Sequence, residues 1–210
     1  MKNPEYWPQA CRELSRTDPI MRQLIRAYPG TVLKSRGNAF ETLLRAIVGQ
    51  QISVKAADAV WARVRAAATT GSATLKPEAV FALNIDSLRA CGLSRMKAEY
   101  ASDLAAHFMS GKIKPRRWAN MEDEAIIAEL IDVRGIGRWT AEMFLVFHLL
   151  RPNVWPVDDL GLLKAVGLHY LDGEKVTPRT AREFGERWQP WRTVATWYLW
   201  RSLDPGVVEY

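Results

Sequence analysis

The chain has 210 residues, and a hydrophobic fraction of 48 % is enough for one large domain or two small lobes that share a core. The formal net charge of +6 favours an anionic partner, most often nucleic acid, although a basic enzyme without a polyanionic partner fits the same charge. The two cysteines, Cys11 and Cys91, argue against a disulfide scaffold and are too few for a zinc or iron–sulfur cluster.

Helical periodicity dominates the first half of the chain. The stretch DPIMRQLIRAYPG predicts a helix with Asp18 as N-cap and Pro19 at its first position. A second helix is predicted in NAFETLLRAIVGQQ. A third is predicted in SVKAADAVWARVRAAA, where Ser53 is the N-cap and Val54 and Trp61 face inward. The only candidate for an extended segment is GTVLKS.

The second half continues the helical pattern, and we expect roughly ten helices in all. Its predicted helices lie in LSRMKAEYASDLAAHFMSG, EDEAIIAELIDV, DDLGLLKAVGLHY and TPRTAREFGERWQPWRTVATWYLWRSL. The predicted fold class is therefore all-α. We expect a single unit, 1–210, made of two helical lobes with a cleft between them: one lobe is 35–115 and the other is 1–34 plus 116–210.

The stretch DVRGIGRWTAEMF contains a short connection between two predicted helices, one ending near Asp132 and one starting near Arg138. Glycines at positions 135 and 137 permit positive φ and a close approach of another backbone. The second helix exposes its first N–H groups, which favour an anion such as a phosphate. An ordinary αα-hairpin with a glycine cap has the same appearance, so the turn alone does not decide its function.

Two neighbouring carboxylates, Asp158 and Asp159, precede an apolar predicted helix. One of them can cap the helix while the other points into the cleft, where a carboxylate could stabilise a developing positive charge. The alternative is that both are N-caps, because aspartate is common at that position.

Four ordered motifs resemble one family over nearly the whole chain. VRGIGRWTA resembles the L-P-G-(I/V)-G-x-x-T-A hairpin of the helix–hairpin–helix DNA glycosylase superfamily, and VWPVDDLGLLKAVG follows at the family's spacing. FETLLRAIVGQQISVKAA, CGLSRMKAEY and RWQPWRTVATWYLW are similar to its bacterial 3-methyladenine DNA glycosylase II branch. Arg134 replaces the family's usual proline, and we expect a short form without the branch's N-terminal β-rich domain.

The resemblance implies roles for individual residues. Asp159, the second of the pair, becomes the catalytic carboxylate of a monofunctional glycosylase that flips out and removes alkylated purines from duplex DNA. Trp139 occupies the position of the lysine that gives bifunctional relatives their lyase activity, so no lyase activity is expected. Trp139 and Trp200 are expected to form the base pocket, and Gln51 with Ile52 to fill the gap left by the flipped base.

Contacts to the DNA backbone are expected from the hairpin, namely from Arg134, Gly135, Gly137, Arg138 and Thr140. The expected partner is double-stranded DNA, bound by a monomer, with no cofactor and no metal site; a monovalent cation at the hairpin carbonyls is left open. The alternatives are a non-catalytic helix–hairpin–helix DNA-binding module and a glycosylase for other lesions. Asp159 in PVDD favours catalysis, and an endonuclease III-like or adenine-mismatch enzyme is disfavoured because no cysteine follows Cys91.

The compartment is inferred from segments that the sequence does not have. MKNPEYWPQACREL has no apolar run typical of a signal peptide, and no stretch approaches the roughly 18 apolar residues of a membrane span. We therefore expect a protein of the reducing cytoplasm that has no membrane partner.

Overall fold

The computed structural model describes residues 4–30, 32–35, 37–69 and 74–203. Within them it contains twelve α-helices, two 3-10 helices and no β-strand, which confirms the predicted all-α fold class. Thr31 of the candidate extended segment lies outside the described residues. The α-helices are α1 (Trp7–Thr17), α2 (Pro19–Ala27), α3 (Ala39–Gly49), α4 (Val54–Ala68), α5 (Pro77–Ala82), α6 (Ile85–Ala90), α7 (Arg95–Met109), α8 (Asp123–Ile131), α9 (Arg138–Phe147), α10 (Leu160–Tyr170), α11 (Pro178–Gly185) and α12 (Arg192–Leu203), and the 3-10 helices are Pro115–Asn120 and Glu186–Trp188.

The contacts within the chain divide it into two compact units, Met1–Ser35 with Leu145–Tyr210, and Arg36–Phe144. The sequence predicted lobes of 35–115 and of 1–34 plus 116–210, whereas these units divide between residues 35 and 36 and between residues 144 and 145. The hairpin and the helices that flank it pack against the rest of the unit Arg36–Phe144. The backbone N–H of Arg134 donates to Asp103 on α7 at 2.8 Å, and the ring of Phe144 packs edge-on against Trp118 at 5.3 Å.

The unit Arg36–Phe144 has its core along α3, whose buried residues are Ala39, Phe40, Leu43, Leu44, Ile47 and Val48. Ser53 caps α4 as predicted, accepting from the N–H of Ala56 at 3.3 Å. The prediction that Val54 faces inward is wrong, since it is 78 % exposed. A helical side chain covers the turn that precedes it, and Val54 begins its helix, so it has no such turn to cover.

The unit formed by Met1–Ser35 and Leu145–Tyr210 is built around α12, which is buried along most of its length. Asp18 caps α2 as predicted, accepting from Ile20 N at 2.9 Å, and its second oxygen accepts from Tyr170 and Trp188. Helices α10 and α12 pack together, and a hydrogen bond of 2.7 Å between His169 and Ser202 joins them. None of the described helices combines the length and hydropathy needed to cross a membrane.

Candidate active site

Asp159 is the N-cap of α10, and two donors hold its side chain. Its Oδ1 accepts from the backbone N–H of Leu162 at 2.7 Å and from the indole Nε1 of Trp200 at 2.8 Å. Asp158 is exposed, whereas Asp159 is half-buried. The predicted division of labour, with one aspartate capping the helix and the other directed elsewhere, is therefore corrected: Asp159 itself caps the helix while it is also bound by a side chain from α12.

Because Gly161 has no side chain, there is room beside it for the hydrogen-bonded side chains of Asp159 and Trp200. A methyl group on Gly161 would lie 3.1 Å from Oδ1 of Asp159 and 3.4 Å from Cδ1 of Trp200, which is closer than most real contacts of a β-carbon. Sequence reasoning did not single out this residue. The signal in the sequence is a glycine two positions after Asp159, in the first turn of a helix, where glycine is less favourable than most residues.

Trp200 is half-buried and packs against Phe147 within the same unit. The two rings are nearly parallel, at 8°, and their centroids are 5.8 Å apart. One side of the indole therefore faces a ring of the protein, and its N–H is bound to Asp159. The sequence predicted Trp200 only as a stacking surface. The structure adds that its N–H orients the Asp159 carboxylate.

The hairpin has one glycine in the left-handed region, Gly135, with φ +84°. A β-carbon there would lie 2.1 Å from Cδ2 of Tyr100, so the tyrosine ring packs directly on the glycine backbone. Gly137 is exposed and has nothing within 4 Å of the same position. Ile136 between them is 4 % exposed and anchors the turn, as its apolar character suggests. The two glycines thus have different environments.

Both hairpin arginines are paired with carboxylates of their own unit. Arg134 Nη2 lies 3.2 Å from Oε2 of Glu99. Arg138 Nε lies 3.0 Å from Glu142, and its Nη1 donates to Glu124 at 2.9 Å. The hydrogen bond that Arg138 donates to Glu124 raises the pKa of Arg138 and lowers the pKa of Glu124. A DNA phosphate that binds either arginine must therefore compete with a carboxylate.

Trp139 and Thr140 lie in the first turn of α9, directly after the hairpin. Trp139 is 39 % exposed, and Thr140 is half-buried. The position of the lyase lysine is thus filled by a partly exposed indole. Trp139 belongs to the unit Arg36–Phe144, whereas Asp159 and Trp200 belong to the other unit.

Gln50 and Gln51 follow the last turn of α3 and have different roles. Gln50 Nε2 donates to the carbonyl of Gly135 at 2.8 Å, so it ties this turn to the hairpin. Gln51 is exposed and adopts φ +57°, a conformation that is uncommon for a residue with a side chain. Ile52 is 41 % exposed, and Val54, two residues later, is exposed as well. The turn therefore presents Gln51 and apolar side chains outward.

Lys97 on α7 binds the backbone of the same turn, a role that sequence reasoning missed. Its Nζ donates to the carbonyls of Val48 at 2.9 Å and Gln50 at 2.5 Å. These carbonyls lie at the C-terminus of α3, where a cation is favoured by the unpaired C=O groups. Desolvation by burial lowers the pKa of the Lys97 ammonium. Since Tyr100 packs under Gly135, α7 supports both the turn and the hairpin.

Among the described residues, no group of three or more histidine, cysteine or acidic side chains is arranged to hold a metal ion. The hairpin carbonyls of Val133 and Gly135 accept hydrogen bonds from Ile136 N at 3.1 Å and from Gln50 Nε2 at 2.8 Å. A monovalent cation at these carbonyls stays a prediction.

A family model described as the HhH-GPD superfamily of base excision DNA repair proteins matches residues 44–190. The chain belongs to this family. The HhH-GPD match contains the hairpin, the Gln50–Gln51 turn and Asp159, whereas Trp200, which donates to Asp159, lies beyond it. Membership therefore accounts for the hairpin, the Gln50–Gln51 turn and Asp159, whereas the hydrogen bond between Asp159 and Trp200 is a finding of the structure.

Named relatives and solved structures agree with this HhH-GPD membership. The chain is 35 % identical over 183 residues to DNA-3-methyladenine glycosylase 1 of Schizosaccharomyces pombe, covering 86 % of this chain and 79 % of that protein. The crystal structure of a DNA-3-methyladenine glycosidase from Bacillus halodurans matches with a TM-score of 0.88 and 32 % identity, covering 97 % and 93 % of the two chains. A Schizosaccharomyces pombe 3-methyladenine DNA glycosylase in complex with abasic DNA matches with a TM-score of 0.80 and 30 % identity, covering 96 % and 98 %.

Proposed function

We propose that this protein is a DNA glycosylase that removes alkylated purines of the 3-methyladenine type from duplex DNA and leaves an abasic site. The observation that carries the proposal is the Asp159 carboxylate, which Leu162 N–H and Trp200 Nε1–H hold in one orientation at the start of α10. A DNA-binding module needs no such carboxylate. The substrate class is supported by the names of the relatives and by the complex of one of them with abasic DNA.

The reaction breaks the bond between C1′ of the sugar and a ring nitrogen of the base. The bonding electron pair leaves with the base, so C1′ becomes oxocarbenium-like, as in glycoside hydrolysis. Asp159 stabilises that charge, water adds to C1′, and the proton of the water is released. The donors on Oδ1 are in place before the reaction, so the carboxylate need not reorient as the charge develops.

An alkylated purine that carries a positive charge leaves as a neutral base, so it needs no strong acid. His107 and His169 fit this view, because their rings are engaged within the helical units: His107 with Asp132 and the carbonyl of Asp103, and His169 with Ser202. A cationic, electron-poor base also stacks favourably on indole. We therefore assign Trp139 and Trp200 to the base pocket.

A base inside a duplex must be flipped out before it can be cleaved, and the vacated space must be filled. We assign that filling to Gln51 and Ile52. Three properties support the assignment: both residues are exposed, they lie in a turn with positive φ, and Lys97 and Gln50 hold that turn on either side. Backbone contacts are assigned to the hairpin residues Arg134, Gly135, Gly137, Arg138 and Thr140.

The chemistry is proposed to be hydrolytic only, because Trp139 occupies the position where bifunctional members have lysine. An indole cannot form a Schiff base with the sugar. Lys164 is the next lysine along the chain, and it lies within α10 rather than at the helix start that holds Asp159. A cytoplasmic monomer is proposed as the working form, in which the free thiols of Cys11 and Cys91 stay reduced.

The proposal is tested with a synthetic duplex that contains one 7-methylguanine and is labelled on the lesion strand. We expect the enzyme to produce an abasic strand that remains intact on a denaturing gel and breaks only after treatment with alkali. Borohydride added during the reaction is expected to trap no protein–DNA adduct. Strand breakage without alkali, or a trapped adduct, would show that an amine of the protein attacks the sugar.

A further inference from the structure

The segment 112–117, KIKPRR, is the most basic stretch of the described chain, and none of the roles above uses it. It contains Lys112, Lys114, Arg116 and Arg117 and no acidic residue, and it joins α7 to α8 through the 3-10 helix Pro115–Asn120. All four of these side chains are exposed. We call this segment the basic loop.

Buried side chains fix the basic loop in position. Trp118, directly after it, is 1 % exposed, and its Nε1 donates to Oε1 of Glu129 on α8 at 2.9 Å. The same carboxylate oxygen accepts from the backbone N–H of Lys114 at 3.1 Å. Ile113 is 2 % exposed and anchors the loop from its other end. These contacts hold the backbone that carries the four cations in position.

The basic loop lies beside the helix that leads into the hairpin. Lys112 Nζ is 3.1 Å from Oδ2 of Asp132, the C-cap of α8 and the residue before the hairpin. Glu129, which binds the loop, is in the last turn of the same helix. The loop therefore contacts the helix that ends at the hairpin, within the unit Arg36–Phe144.

Two carboxylates of α8 have partners other than Arg116 and Arg117. Glu129 holds Trp118 and the loop backbone, and Glu124 is bound to Arg138. Across the described ranges, no carboxylate forms an ion pair with Arg116 or Arg117, whereas both hairpin arginines have such partners. Two exposed guanidinium groups without an internal anion suit an external one, and guanidinium matches phosphate geometry well.

We propose that Arg116 and Arg117 of the basic loop bind phosphates of the DNA backbone and extend the contact made by the hairpin. This inference rests on the proposed action on DNA, but its test uses undamaged duplex and so does not require base release. Phosphate contacts carry no sequence information, so the basic loop adds affinity and position on the duplex rather than lesion choice.

The test compares two double variants that lose the same charge. Arg116→Gln with Arg117→Gln removes the cations of the basic loop. Arg12→Gln with Arg16→Gln is the matched control, because both arginines are exposed on α1 in the other unit and form no ion pair within the described residues. Affinity for a fluorescent undamaged duplex is measured from 50 to 200 mM salt, and melting temperatures check that both variants fold.

Each phosphate contact contributes about 0.9 to the slope of log affinity against log salt concentration. We expect the basic-loop variant to lose up to about 1.8 from that slope and to bind about tenfold or more weakly at 50 mM salt. The control is expected to keep the wild-type slope, and Arg116→Lys with Arg117→Lys to restore most of it. Equal losses in both glutamine variants would overturn the proposal, because they would indicate a general effect of net charge. An unchanged slope in the basic-loop variant would overturn it as well.

Discussion

Replacing Asp159 by asparagine is expected to lower the single-turnover rate of base release by at least about 100-fold, the loss typical when a group that stabilises transition-state charge is removed. An asparagine can still accept from Leu162 N and Trp200 Nε1, which now bind Oδ1, so the local geometry is kept and only the negative charge is lost. Because that charge acts on a cation that exists only in the transition state, duplex affinity is expected to stay near the wild-type value. Rates are measured with enzyme in excess over a lesion-containing duplex.

Asp158 provides the matched control, since it is the preceding residue, carries the same charge and is exposed. Asp158→Asn is expected to keep more than half of the wild-type rate. The opposite pattern, with Asp158→Asn inactive and Asp159→Asn active, would show that the catalytic assignment within the pair is wrong. Comparable losses in both would point to a general effect of charge at the start of α10.

Replacing Gly135 by alanine is expected to destabilise the protein by at least about 2 kcal/mol. Placing a residue with a side chain in the left-handed region costs about 1–2 kcal/mol, and the new methyl group would lie 2.1 Å from Cδ2 of Tyr100, so the ring or the hairpin must move. For a chain of this length the loss corresponds to a fall in melting temperature of about 4–8 °C. Duplex binding is expected to weaken along with it, because the hairpin that we propose to bind DNA is displaced.

Gly137→Ala separates the two glycines of the motif. No atom lies within 4 Å of the position of its β-carbon and its φ is not positive, so the melting temperature is expected to stay within about 2 °C of wild type. The added methyl group is exposed on the proposed DNA-facing side, and duplex affinity is expected to fall even though the fold is intact. If Gly135→Ala were as stable as Gly137→Ala, the packing of Tyr100 on the hairpin would not be important for the fold.

Local rules were sufficient for much of the helical framework. Asp18 and Ser53 are N-caps where the sequence predicts them, and the hairpin lies between α8 and α9 with a positive-φ glycine. Helices α5 and α6 were not predicted, because six residues are too few to show a helical period. The unit boundary at 144/145 was not predicted either, since it depends on contacts such as that between Trp118 and Phe144, which are distant in sequence.

The sequence named the residues of the candidate site, but it did not predict all the contacts between them. The motif pointed to Asp159, but its hydrogen bond to Trp200 joins residues 41 positions apart, and no local pattern reports such a pair. Lys97 was missed for a related reason. A lysine in an amphipathic helix is normally predicted to lie on the solvent-facing side. The packing of α7 against α3 instead brings Lys97 Nζ to the carbonyls of Val48 and Gln50.

The most direct test of the central claim is the identification of the released base. Duplex DNA treated with a methylating agent is incubated with the enzyme, and the material that leaves the DNA is separated by chromatography. The proposed function predicts free 3-methyladenine, released at a rate that depends on Asp159. Retention of every methylated base on DNA that the protein nevertheless binds would contradict the proposal and would indicate a DNA-binding protein without glycosylase activity.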